Sequence, residues 1–333
     1  MGLSDRHHIL CAALFAVAAL ALHPAPALAA VCQYQNLMPE FLAFEQQTKD
    51  LPPARQAQIF ADDFVPRYSD FYREMGHIEG YDGPPPKDRL AKDALRLLDP
   101  GNLETLPGFP PLTQERFEAA ARATGADFDQ AQMAFSRTFP NFHCPATITF
   151  GPSFLHFDGH VYNDESGQHM MFGVDALAIE HRPADMRALY AHELFHIYHR
   201  EALGAVYPKS DRSVWWSMWS EGLATYISQR LNPALSAQQI LGFPADLADR
   251  MQAPGVEQHA ARLLLPDLDT SNSAWFDTTH AVADLPPRAG YYMGYALAAS
   301  LGRHYSFDQL AHLPPERVRI EARKFFEAQA KAG

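Results

Sequence analysis

The sequence predicts an α+β fold that is predominantly α-helical, with one small sheet. Three observations lead there. Apolar residues recur at three- and four-residue steps through most of the chain, Gly and Pro clusters punctuate those steps, and β-branched, strand-like runs are confined to the region just after Cys144. The 333 residues are 47% hydrophobic and 20% charged, which is globular and sufficient for a sizeable core. The formal charge of -12 repels phosphate backbones, so nucleic acid is excluded as a partner class. The sheet is too small for a doubly wound architecture.

The first 29 residues read as an address. Arg6 precedes an apolar run at 9–22, 14 residues long, whereas a spanning helix needs about 20. Pro24 and Pro26 follow, and Ala27, Leu28 and Ala29 form a small-x-small cleavage site. A signal peptide ending at Ala29 is expected, which makes the protein exported, periplasmic or secreted, with no stable membrane span in its mature form. The branched Val31 before Cys32 disfavours a lipidated cysteine. In an exported chain, Cys32 and Cys144 are expected to form one disulfide, with two unpaired thiols as the alternative.

Residues 30–143 are expected to form an N-terminal helical region. The helical segments are 37–47, 53–75, 87–98 and 113–125, separated by breakers at 51–53, 83–86, 99–101 and 107–111. Their aromatics (Phe41, Phe44, Phe60, Phe64, Tyr68, Phe71 and Tyr72) are expected to pack helices together rather than to line a groove. Residues 144–333 are expected to form the domain that carries the chemistry. Short strands are predicted at 146–150, 154–157, 159–162 and 170–174, with a turn at 163–167, and helices resume at Pro183.

The chemistry begins at His192-Glu193-Leu194-Phe195-His196. On a helix, residues four apart lie one above the other, so His192 and His196 can reach one metal ion from the same side. Glu193 points about 100° round the axis. There it can act as a general base without being a ligand. Pro183 and Asp185 suit the start of this helix, and Gly204 its end. A catalytic zinc takes three protein ligands and leaves one position for water. Glu221, 25 positions after His196 on a second helix, supplies the third, because a carboxylate in the uncharged, Trp-rich run 214–226 needs a partner. Gly222 and Ala224 allow close helix approach there, while Trp215, Trp216 and Trp219 either line a pocket or pack the core.

His-Glu-x-x-His followed by Trp-Ser-Glu-Gly-Leu-Ala-Thr-Tyr resembles the gluzincin zinc metallopeptidases, the thermolysin and aminopeptidase clan, and in particular small predicted zinc-protease families of bacteria. The later run Gly290-Tyr291-Tyr292-Met293-Gly294-Tyr295 is similar to a third element of those families, so the resemblance covers about 145–302. It implies a thermolysin-like (zincin) catalytic core with a small sheet, one Zn2+ per chain on His192, His196 and Glu221, and Glu193 as base. It further implies a strand at Met170, Met171, Phe172 and Gly173 that lies on the cleft and pairs with an extended peptide. A tyrosine would hold the oxyanion, with Tyr291 the first choice and Tyr292 and Tyr295 open. Departures exist. His199 and Ala202 exclude the longer metzincin signature, Thr225 stands where thermolysin has an aspartate, and the element that grips a free amino terminus in aminopeptidases is missing. His199 is expected to be a surface or packed histidine.

The function expected from this is zinc-dependent hydrolysis of peptide or protein substrates, as an endopeptidase. The alternatives are an exported zinc-binding scaffold without turnover, and an aminopeptidase or cell-wall amidohydrolase. An intact Glu193 speaks against the scaffold, because a structural zinc site is closed by a fourth ligand.

Overall fold

A computed structural model describes residues 32–99, 111–165, 167–180 and 186–332. The signal segment, the breaker residues 100–110, and Pro183 and Asp185 lie outside the described residues. The described residues open with a short strand, β1 (Tyr34–Asn36), and continue with the helices α1 (Met38–Thr48), α2 (Pro53–Ile59), α3 (Ser69–Ile78), α4 (Lys87–Leu98) and α5 (Gln114–Thr138). The sheet region follows as β2 (Ala146–Gly151), β3 (Gly159–Asp164) and β4 (Gly167–Gly173), with α6 (Val174–Glu180) directly after β4. Then come α7 (Met186–Leu203), α8 (Val214–Leu231), α9 (Ala237–Leu241), α10 (Leu247–Met251), α11 (Val256–Asp267), α12 (Ala289–Leu301), α13 (Phe307–Ala311) and α14 (Pro315–Lys331). The α+β, mainly helical class is as the periodicity predicts. No described helix is long and apolar enough to cross a membrane.

The N-terminal helices follow the breakers closely. One long segment, 53–75, is broken: a π-helical turn at Phe60–Phe64 and a 3-10 turn at Val65–Tyr68 separate α2 from α3, as Pro66 within the run demands. The expected aromatic core forms here. Phe41 meets Phe60, Phe64 and Phe117 edge-on at 5.8–5.9 Å, and Phe60 meets Tyr72 at 5.8 Å.

The sheet has the order β1-β2-β4-β3. β1 runs parallel to β2, with Tyr34 opposite Ile148, and β2 runs parallel to β4, with Ile148 opposite Met170. β3 is antiparallel to β4 and forms the edge. A disulfide joins Cys32 and Cys144, so each of the parallel strands β1 and β2 starts two residues after a cysteine.

Two sequence expectations are corrected here. Residues 154–157 form no strand. Phe154 and Leu155 adopt left-handed backbone (φ 55° and 65°) in a turn. The buried carboxylate of Asp175 accepts the backbone N–H groups of Ser153 (2.6 Å) and Leu155 (2.5 Å), which replaces any ladder. The second correction concerns Met171, Phe172 and Gly173, expected to face a substrate at the cleft edge. They lie on an interior strand. Phe172 sits between Phe150 of β2 and Gly159 of β3, and Met171 between Thr149 and His160, so no ladder edge is left for a peptide. Met171 and Phe172 are 1% exposed. Gly173 has no room for a side chain, because a Cβ there would lie 2.0 Å from the Phe157 carbonyl oxygen. The hairpin places β3 outside β4, and β3 takes the edge that the resemblance implied for β4.

Candidate metal centre and cleft

α7 carries His192, Glu193 and His196, and it ends at Leu203 because Gly204 takes left-handed backbone (φ 51°). α8 carries Glu221 and packs on α7, where the Ser228 hydroxyl donates to the Ala188 carbonyl at 2.5 Å. An adjoining face of α8 meets α12 backbone to backbone. A Cβ on Gly222 would lie 2.0 Å from the Gly294 carbonyl carbon. The small residue at 222 therefore serves the contact with α12 rather than the contact with α7.

The three expected ligands converge. The Nε2 atoms of His192 and His196 are 3.0 Å apart, and Glu221 Oε2 lies 3.2 Å from the first and 3.5 Å from the second. An ion bound tetrahedrally at 2.0–2.1 Å needs ligand atoms separated by about 3.3 Å. The three edges bracket that value, so the donor set and its spacing fit a tetrahedral divalent cation. The side chains of His192, His196 and Glu221 are 14%, 20% and 27% exposed, so one side of the triangle is open to the cleft. Glu193 offers a carboxylate oxygen within 4.8 Å of the two imidazole nitrogens, yet makes no hydrogen bond or ion pair with either among the described residues. It stands beside the triangle rather than at a corner of it.

The electrostatics follow from burial and this crowding. Burial pushes the Glu193 carboxyl up, and the Glu221 and Asp158 carboxylates add to that, against the pull of His196 and His192. Burial works to lower His196, but the carboxylate of Glu221 prevails and raises it to about 9. Burial would raise Glu221, yet His196 and the hydrogen bonds from both imidazoles hold it well below the usual carboxylate range. The Thr225 hydroxyl donates to the Glu221 carbonyl (2.7 Å), and the Ser220 hydroxyl lies 3.4 Å from His196 Nδ1.

Glu193 and Glu221 border both halves of a groove. The narrower half, about 90 Å³, contains Asp158, Gln239, Leu241, Arg288 and Tyr291. The wider half, about 300 Å³, contains Val161, Arg200, Tyr207 and Trp216. Of the three tyrosines left open, only Tyr291 borders the groove. The Tyr292 hydroxyl donates to Glu257 (2.5 Å) and that of Tyr295 to Gln229 (3.1 Å). Burial and the Glu221 carboxylate raise Tyr291, so its hydroxyl stays a donor at neutral pH. Trp215 and Trp219 are core residues, and Trp216 is buried at the floor of the wider half.

Sequence reasoning missed Asp158, Val161, Ser220 and Arg288. Ser220 was findable as the neighbour of Glu221. Val161 required knowing that β3 is the edge. Asp158 and Arg288 sit in loops with no periodic signal. No family model, curated protein or solved structure matches this chain.

Proposed function

We propose that the protein is a zinc-dependent peptidase of the gluzincin type with a thermolysin-like core, and that it hydrolyses peptide bonds with an activated water. The observation that carries this reading is the triangle of His192, His196 and Glu221 with Glu193 beside it, open to a groove. Zinc bound to His192, His196 and Glu221 would lower the pKa of a water toward about 7 and polarise a carbonyl. Glu193, buried and raised, is suited to take the proton from the attacking water and hand it to the leaving amine. Tyr291 can donate its hydroxyl to the oxyanion. β3 is the outer strand of the sheet among the described residues, with Val161 (37% exposed) lining the groove, and an extended peptide would pair there in place of the strand named from the sequence.

Substitution separates ligand from base. Glu193→Gln is expected to keep about one zinc per chain and to lose hydrolysis by about 10³-fold or more. His196→Ala is expected to lose the metal. Metal analysis alongside cleavage of a peptide library reads both, and full activity in Glu193→Gln or stoichiometric zinc in His196→Ala would remove the reading.

A further inference from the structure

Arg288 occupies a costly backbone position. It has φ 62° at the start of α12, a conformation that glycine adopts freely and most other residues adopt only under constraint. Its side chain is held on two sides. The guanidinium carbon lies 4.1 Å from the centre of the Tyr291 ring, and Nη1 donates to the carbonyls of Phe243 (3.1 Å) and Leu241 (3.5 Å). These contacts, with a hydrogen bond to the Tyr291 side chain, fix the group in the lining of the narrower half of the groove and leave part of its five N–H donors unused. Among the described residues no carboxylate pairs with it, although Asp158 borders the same space. The Asp158 carboxylate accepts instead from the Gly159 N–H at 2.6 Å. A fixed guanidinium with unused donors in a groove is matched by a carboxylate, which accepts two parallel N–H bonds.

We propose that Arg288 receives a carboxylate of the substrate, so that the cleft selects peptides carrying one on the α9 side of the scissile bond. The inference rests on the peptidase reading above for the identity of the ligand. Two sources share this chemistry, the free carboxyl end of a peptide and an Asp or Glu side chain. The cavity beside the guanidinium measures about 90 Å³ and is lined by Asp158, Gln239, Leu241 and Tyr291.

Binding, measured separately from turnover, tests this. Zinc-loaded Glu193→Gln is titrated with one neutral hexapeptide as its free acid, with its C-terminal amide, and with amides carrying one Glu at each position in turn. The free acid, or one Glu position, should bind about 10- to 100-fold tighter than the neutral amide. Which of them does so identifies the source. Arg288→Met in the same background should abolish that difference, and Arg288→Lys should keep part of it. A neutral amide that binds as well as every carboxylate form overturns the proposal, as does binding by none of them. If Arg288→Met does not fold, the comparison within the Arg288 chain decides alone. A clear carboxylate preference with no hydrolysis of any peptide by the unsubstituted protein would remove the peptidase reading and leave the Arg288 site standing.

Discussion

His199 lies one helical turn beyond His196, on the same helix, and has a different fate. It is 0% exposed, and its ring stacks with Phe195 at 5.5 Å and packs against Trp216 at 5.5 Å. Neither ring nitrogen has a hydrogen-bond partner among the described residues. Burial, with His196 and His312 adding to it, lowers its pKa from 6.5 to about 3. The sign of the consequence follows from linkage. A folded pKa below the unfolded one gives stability that is present above pH 6.5 and drains as the pH falls toward 3, because the unfolded chain takes up the proton first. Between pH 7.5 and pH 5 this amounts to about 2 kcal/mol. His199→Phe keeps the aromatic packing and removes two unsatisfied polar atoms, so it should be at least as stable as the parent at pH 7.5. It should also lose about 2 kcal/mol less on acidification to pH 5. Urea unfolding at the two pH values measures both, and an equal acid loss in the two proteins would contradict this account.

At the scale of elements, the site depends on how tightly α8 sits against α12. Gly222 and Gly294 face each other, and a Cβ on Gly294 would lie 2.0 Å from the Met218 carbonyl oxygen. No side-chain rearrangement relieves a contact between backbones, so Gly222→Ala or Gly294→Ala must push the helices apart. The expected cost is about 3 kcal/mol. Glu221 adjoins Gly222 and Tyr291 shares a helix with Gly294, so zinc affinity and turnover should fall together, as metal competition and peptide cleavage would register. Substitution of the exposed Val206, in the turn after α7, should do neither. Much of this geometry is legible in the chain. A four-residue step puts His192 and His196 on one face whatever surrounds the helix, and Glu221 betrays itself as the one charge in an apolar run. Less legible is what pairing decides. Both 159–162 and 170–174 read as strands, and which of them is the edge depends on β2 docking against β4. β1 is three residues long and exists because β2 lies beside it. The turn at 153–158 is dictated by a carboxylate some twenty positions away, in α6.

The whole molecule ties that edge to its N-terminal helices. Phe154, in the turn leading to Asp158 and β3, packs edge-on to Phe60 at 5.3 Å and lies against Tyr72. Arg96 of α4 donates to the Phe154 carbonyl at 3.2 Å. His156 in the same turn reaches Glu79 at 2.8 Å, just after α3. The helices before the sheet thus hold one wall of the groove, and the Cys32–Cys144 bond holds β1 and β2 together at their start. That bond joins residues 112 apart in sequence. Closing a loop of this size in the unfolded chain is worth about 4–5 kcal/mol on the chain-entropy account. Replacing both cysteines by serine should therefore lower the free energy of unfolding by about 4 kcal/mol, and reductant should bring the parent to the same value while leaving the double variant unchanged. The loss should reach the groove, because β1 and β2 carry the sheet in which β3 is the edge. On the proposed reading, peptide KM should rise before zinc content falls, since α7 and α8 carry the three proposed ligands without passing through the sheet. Urea unfolding with and without reductant, beside KM and metal content, tests the chain of dependence. A double variant as stable as the parent, or one that loses zinc before peptide affinity, would break it.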